Sequence, residues 1–326
     1  MKRNLFVSVG AVSCLFALAM ILSCSSVSKT NSDMKGPTVY VAGTARDSKY
    51  NNIAMYWKNG EAVTLGRGEA TSIFAVGNDV YIAGYSNNSN GWPTATYWKN
   101  GIPVQLSDDE VEAYTSSIYV SGDDVHVTGW EVIGYKTSVS TYWKNGVGTR
   151  MANATLNSVF VSGDDVYLVG SISNKGKTVA TYWKNGKAIS LSGGSYASSI
   201  FVSGADVYIT GGEYNKQGEN VSKYWKNGVA VLLSGKGSLE SIFVSGDDVY
   251  IARSEVTGQF NFTAKYWKNG ETIALSDNNA HANSIFVFEN NVYVAGSINY
   301  KAIYWKNGEA VLLSGGEFAN AIFVVP

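Results

Sequence analysis

At 326 residues, 45% hydrophobic and 16% charged, the chain has ample apolar material for a large core. Its formal charge of −1 becomes −3 once Lys2 and Arg3 are set aside with the N-terminal segment, which excludes the basic face that DNA or RNA requires. Cys14 and Cys24 are the only cysteines, too few for a disulfide scaffold, so the core alone must hold the fold.

The first element is a leader. Lys2 and Arg3 precede an apolar run, Leu5 to Leu22, broken only by Ser8, Gly10 and Ser13. A basic start, an apolar stretch and a small residue before a cut read as a secretory signal over 1–23. The boundary Ile21-Leu22-Ser23-Cys24 resembles the lipobox of bacterial lipoproteins. That resemblance implies that Cys24 becomes the lipidated first residue of the mature chain, followed by a polar tether over 24–37. The alternative is an uncleaved anchor, since the run is just long enough to span a bilayer. Either reading places the remainder outside the cytoplasm, at the bacterial cell envelope, held to the membrane through its N-terminus.

After residue 30 helical periodicity disappears, while Gly (35) and Tyr (21) are abundant, as in all-β structure with many tight turns. The pentapeptide Tyr-Trp-Lys-Asn-Gly then occurs seven times, beginning at Tyr56, Tyr97, Tyr142, Tyr182, Tyr224, Tyr266 and Tyr304. The spacings are 41, 45, 40, 42, 42 and 38 residues, and a period near 40 with strand-like content is the signature of a β-propeller blade. The expected fold is therefore an all-β, seven-bladed β-propeller with four-stranded blades over 38–326.

Residues 158–191 show one repeat in full. Ser158–Val161 and Val166–Gly170 flank Gly163-Asp164-Asp165, and Ala180–Trp183 and Lys187–Leu191 flank Asn185-Gly186. Gly, Asp and Asn tolerate positive φ, and Asn-Gly between strand-like runs is a type I′ hairpin signal. Adjacent Tyr and Trp point to opposite faces of a strand, and blades packed on both sides can bury both. The YWKNG aromatics are expected in the core. The pattern opens on a second strand, Val39–Gly43, and ends on a first strand, Ala321–Val324, so the C-terminal strand should join blade one and remove a sheet edge.

The motif Trp57-Lys58-Asn59-Gly60 with Val63 and Leu65, repeated in each later copy, is similar to the HAF-type extracellular repeats of bacteria. No His-Ala-Phe triplet precedes the copies. The resemblance implies an exported propeller and no particular activity. The Asp-box pattern S-x-D-x-G-x-x-W is absent.

Function is expected on the face that carries the length-variable connections, because variable loops on a rigid scaffold are where binding resides. The candidates there are Arg46, Trp92, Trp130, Tyr135, Tyr214, Phe260, Phe262 and Tyr300; Trp92 and Trp130 are the only tryptophans outside the motif. A polar residue precedes each first strand, namely Thr71, Ser116, Asn157, Ser198, Glu240, Asn283 and Asn320, and these should ring the channel mouth around a small polar ligand or ordered water. Asp108, Asp109, Glu110 and Glu112 lack EF-hand spacing and read as a solvated acidic loop. Of the two histidines, His126 takes a blade tyrosine's place, and His281 is the one plausible base. The reading is a monomeric binding or interaction module without cofactor or metal, whose partner is a glycan, a peptide or an envelope protein and not nucleic acid. The alternatives are a propeller hydrolase or lyase with one site at the channel mouth, and a structural scaffold.

Overall fold

The computed structural model describes residues 36–134, 137–258, 261–277 and 279–326. The expected leader over 1–23, Cys24 and most of the expected tether over 24–37 lie outside these residues, as do Tyr135 and Phe260. The body from Pro37 to Pro326 is one compact unit. Every regular element among the described residues is a β-strand, 27 in all.

The strands form five four-stranded sheets and one of seven strands, all antiparallel. The seven-stranded sheet is two repeats joined. Strand Glu61–Val76 pairs with Asn52–Lys58 through Ile53↔Arg67 to Lys58↔Glu61, then with Asp79–Asn87 through Gly68↔Ser86 to Val76↔Asp79. The sequence places a break there. Gly66 and Gly68, at φ 113° and 142°, instead let the outer strand of one repeat run straight into the inner strand of the next. The seven units are thus 38–67 with 318–325, then 68–105, 113–151, 154–190, 196–232, 237–276 and 280–312, numbered 1 to 7.

The first and last described strands pair as expected. Thr38–Arg46 pairs with Phe318–Val325 from Thr38↔Val325 to Thr44↔Phe318. The inner strands touch in a cyclic series, from Phe318–Val325 through the inner strands of units 2 to 7 and back. Their aromatic side chains repeat that cycle. Phe74, Tyr119, Phe160, Phe201, Phe243, Phe286 and Phe323 form an unbroken collar with centroids 4.6–5.1 Å apart and planes 49–55° apart. Serines staple adjacent inner strands below the rings. Ser72 Oγ accepts from the Ile118 N–H at 3.1 Å, and Ser117 from Val159 and Ser284 from Ile322 at 3.3 Å.

The Asn of each YWKNG copy explains its own repetition. Asn59, Asn100, Asn145, Asn185, Asn227, Asn269 and Asn307 all have φ of 47–53° and are followed by a positive-φ Gly, as a type I′ turn demands. Each also reaches across to the neighbouring hairpin: Asn185 Oδ1 accepts from the Val166 N–H at 2.8 Å and Asn185 Nδ2 donates to Asp165 at 2.7 Å. Both short turns therefore lie on one face of the molecule.

The motif tryptophans are core in six copies. Trp57, Trp98, Trp143, Trp183, Trp225 and Trp305 are buried. The expectation fails at Trp267, which is only partly buried and lies 5.6 Å from Tyr224, ring to ring. The cause is Arg253. Elsewhere this second-strand position is Gly, and at Gly84 a Cβ would stand 1.9 Å from the Glu69 carbonyl and 3.0 Å from the Trp98 ring. Arg253, 1% exposed, fills the space in unit 6 that the indole occupies in the others.

Candidate functional site

Each inner strand carries a β-bulge at the polar residue singled out from sequence, shown by the register shift between Ala70 and Ser72 and its counterparts. The bulge turns that side chain towards the next unit. Asn157 Nδ2 donates to the Ala197 carbonyl at 2.7 Å, Ser198 Oγ to Leu239 at 2.6 Å, Asn283 Nδ2 to Ala319 at 2.9 Å and Asn320 Nδ2 to Ala70 at 2.8 Å. Ser116 Oγ reaches Leu156 at 3.1 Å and Thr71 Oγ1 reaches Thr115 at 3.3 Å. These residues therefore tie neighbouring units together, each through a hydrogen bond to a backbone carbonyl of the next unit. Glu240 departs from the set, since its carboxylate accepts from the Ser238 hydroxyl.

Two residues before each bulge, the inner strands present Glu69, Tyr114, Thr155, Tyr196, Ser238, His281 and Phe318. Loop, second-strand and third-strand residues pack on these. Trp130 stands opposite Tyr114 in register and stacks on it at 5.1 Å and 21°, while Tyr85 meets Tyr114 edge-on at 5.1 Å. Tyr214 lies 5.7 Å from Tyr196, and Phe262 lies 4.6 Å from His281. Tyr300 stands edge-on to Phe318 at 6.0 Å. The Arg46 guanidinium lies 5.9 Å from the Phe318 ring and 3.3 Å from Glu317.

The structure thus gathers Trp130, Tyr214, Tyr300, Phe262, Arg46, Glu240 and His281 on the variable-loop side. Trp92, 51% exposed, lies in the Asn88–Trp92 loop outside these ring pairs. The sequence reading missed Tyr85, Tyr114, Tyr196 and Phe318, which sit inside strands; the signal for the last three was their coincidence with the inner-strand positions held by Thr155 and Ser238 in other repeats.

The charges of this rim are modest. Burial raises the Glu69 carboxyl, which has no hydrogen-bond partner among the described residues. Tyr114 is raised by burial first and then by Glu112, to which its hydroxyl donates at 2.6 Å. Burial lowers His281, and Glu240 opposes that. His281 forms no hydrogen bond with Glu240 or Glu69. Of the acidic loop, Asp109 accepts from Gln105 Nε2 at 2.9 Å. His126 packs as its position suggests, with Nδ1 2.6 Å from the Tyr142 hydroxyl.

Beside Trp130 lies a cleft of 390 Å³ between units 3 and 4, lined by Trp130, Ser138, Ser140, Ala154, Thr155, Leu156 and Asn157. The opposite face is different in kind. Its half-exposed lysines are paired, as in Lys144–Asp124 and Lys184–Asp165 at 2.7 Å, and Lys184 also lies 5.3 Å from the Tyr167 ring.

No family model matches the chain, and no curated protein matches it. Solved structures do. The chain is similar to the β-propeller domain of the Trilobed protease from Pyrococcus furiosus, described as having an open velcro topology, at 12% identity and a TM-score of 0.56, over 86% of this chain and 95% of that one. It is also similar to the periplasmic gluconolactonase PpgL of Pseudomonas aeruginosa, at 12% identity and a TM-score of 0.51, over 89% and 99% of the two chains. At such identity the likeness speaks to the fold alone. The fold is a β-propeller.

Proposed function

We propose that this chain is an exported, lipid-anchored binding module at the cell envelope, built on a closed seven-bladed propeller and working through its variable-loop face. The single observation that supports it best is the three-ring series Tyr85–Tyr114–Trp130, which ends at the 390 Å³ cleft. Partly exposed aromatic rings on a rigid scaffold favour recognition, because they supply contact area at little entropic cost. The cyclic series of inner strands and the aromatic collar support closure into seven blades. The likeness to HAF-type repeats and to a lipobox at Ser23-Cys24 supports export and anchoring.

The test has two arms. Cys24→Ala should release the protein into the soluble fraction, and unchanged membrane retention would favour an uncleaved anchor. Envelope polysaccharide and envelope protein fractions should then be assayed against Trp92→Ala/Trp130→Ala and Lys144→Ala/Lys184→Ala variants. The tryptophan changes should weaken capture with little loss of stability, and the lysine changes should have only a small salt-dependent effect. The reverse pattern would put the working face on the short-turn side.

A further inference from the structure

The cleft beside Trp130 has a chemistry narrower than that of a general binding surface. Trp130 is 36% exposed, and one side of its ring is covered by Tyr114. The indole also lines the cleft, so aromatic surface is available to a ligand there. Around it the described polar groups are uncharged. Ser138 Oγ, Thr155 Oγ1 and Asn157 Oδ1 carry no hydrogen bond to any described residue, and Ser140 Oγ accepts from the Leu156 N–H at 3.1 Å, which leaves its own proton to donate. Among the described residues, no Asp, Glu, Lys or Arg lines the cleft.

An aromatic surface bordered by neutral donors and acceptors matches one ligand chemistry well. A pyranose has a C–H face that packs on an indole and an equatorial rim of hydroxyls that both donate and accept. A phosphate, a uronic acid or a basic peptide would enter with no opposite charge to offset its desolvation. The larger cleft of 630 Å³ between units 4 and 5, lined by Gly176–Val179, Ser190–Ser195 and Glu213, has no aromatic ring and offers no such surface.

We propose that the cleft between units 3 and 4 binds a neutral saccharide, with the ring stacked on Trp130 and its hydroxyls bound by Ser138, Thr155 and Asn157. This deepens the binding-module reading and rests on the same face. Asn157 fixes the floor of the site, because its amide nitrogen is held by the Ala197 carbonyl at 2.7 Å while its oxygen remains free. A tryptophan at this position is particular to one junction between units. Where unit 3 has Trp130, the residue after the second-strand Gly is Thr44, Tyr85, Ser171, Gly212 and Ser297 in the other units that keep that Gly.

The experiment uses the full chain in a sugar-free zwitterionic detergent, titrated calorimetrically with glucose, galactose, mannose, fucose and N-acetylglucosamine and their disaccharides, and with glucuronic and sialic acids for comparison. At least one neutral sugar should bind. Trp130→Ala should weaken that binding by about tenfold or more, Trp130→Phe should retain most of it, and Thr155→Val should cost several-fold. Thermal melts of each variant separate loss of the site from loss of the fold. Absence of binding by every neutral sugar, equal binding by Trp130→Ala at unchanged melting temperature, or preference for the acidic sugars overturns the proposal. If the sugars fail while the Trp92/Trp130 pair still controls capture from envelope fractions, only the saccharide assignment falls. If both fail, the variable-face reading falls with it.

Discussion

Arg253 Nη1 donates to the Ser234 carbonyl at 2.7 Å, in the place where an indole donates elsewhere: Trp225 Nε1 to Ser192 at 3.1 Å and Trp57 Nε1 to Ser314 at 2.9 Å. The guanidinium has thus taken the slot of the Trp267 indole between units 5 and 6. The exchange is unfavourable in two ways. Arg253 Nε and Nη2 have no partner among the described residues, and burial lowers the guanidinium's proton affinity, with Glu255 opposing. Arg253→Gly should let Trp267 enter the slot, raise stability by about 1–3 kcal/mol and shift tryptophan emission to the blue. A lower melting temperature with unchanged emission would mean that the guanidinium is better satisfied than its neighbours indicate.

The same contrast separates two tryptophans of identical local sequence. Trp183 is 3% exposed, and Trp183→Ala should cost about 3–5 kcal/mol through the cavity it leaves. Trp267 is partly exposed against Tyr224, and Trp267→Ala should cost about 1–2 kcal/mol. Denaturant melts of both variants test the ranking. Equal losses would show that Trp267 supports its unit as fully as the others do.

What the sequence made legible was whatever repeats. The Asn-Gly turns, the paired faces of Tyr and Trp, and the return of Ala321–Val324 to Val39–Gly43 all follow from period, alternation and turn chemistry. What it concealed was whatever depends on a neighbour in space. The bulges at Asn157 and Asn283 are invisible in the chain, because a bulge is a mismatch between two strands, and they convert apparent channel residues into ties between units. Tyr114 looked like one strand residue among many until register placed it opposite Trp130. Trp267 matched its motif perfectly and was displaced by a residue fourteen positions earlier.

Glu69 gives the rim a pH signature. Burial raises its carboxyl above the ordinary 4.5 in the folded state, while Tyr85 and Tyr114 lie nearby without donating to it. The folded state therefore holds the proton more tightly than the unfolded chain. Stability carries no penalty from Glu69 below the unfolded value and declines as pH rises through the folded value. Glu69→Gln should match the native protein below the ordinary carboxyl range and exceed its melting temperature by an amount that grows as pH rises through the folded value and then levels off. A constant difference across that range would mean that the carboxyl is as solvated when folded as when unfolded.

The closing strand should matter out of proportion to its length. Phe318–Val325 supplies the inner strand of unit 1, places Phe323 in the collar between Phe74 and Phe286, and ties Asn320 to Ala70 at 2.8 Å. Removing 319–326 would expose the edge of Thr38–Arg46, break the collar and free two neighbouring units at once. The truncated protein should aggregate or unfold near room temperature. Ile322→Ala gives the graded version, because this buried side chain lies in the cluster formed with Val41, Trp57 and Tyr293, and it should cost about 2–5 kcal/mol. Melting of the truncation within a degree or two of the intact chain would show that the ends contribute nothing to closure. A large loss for the truncation beside a negligible one for Ile322→Ala would place the contribution in backbone pairing rather than in packing.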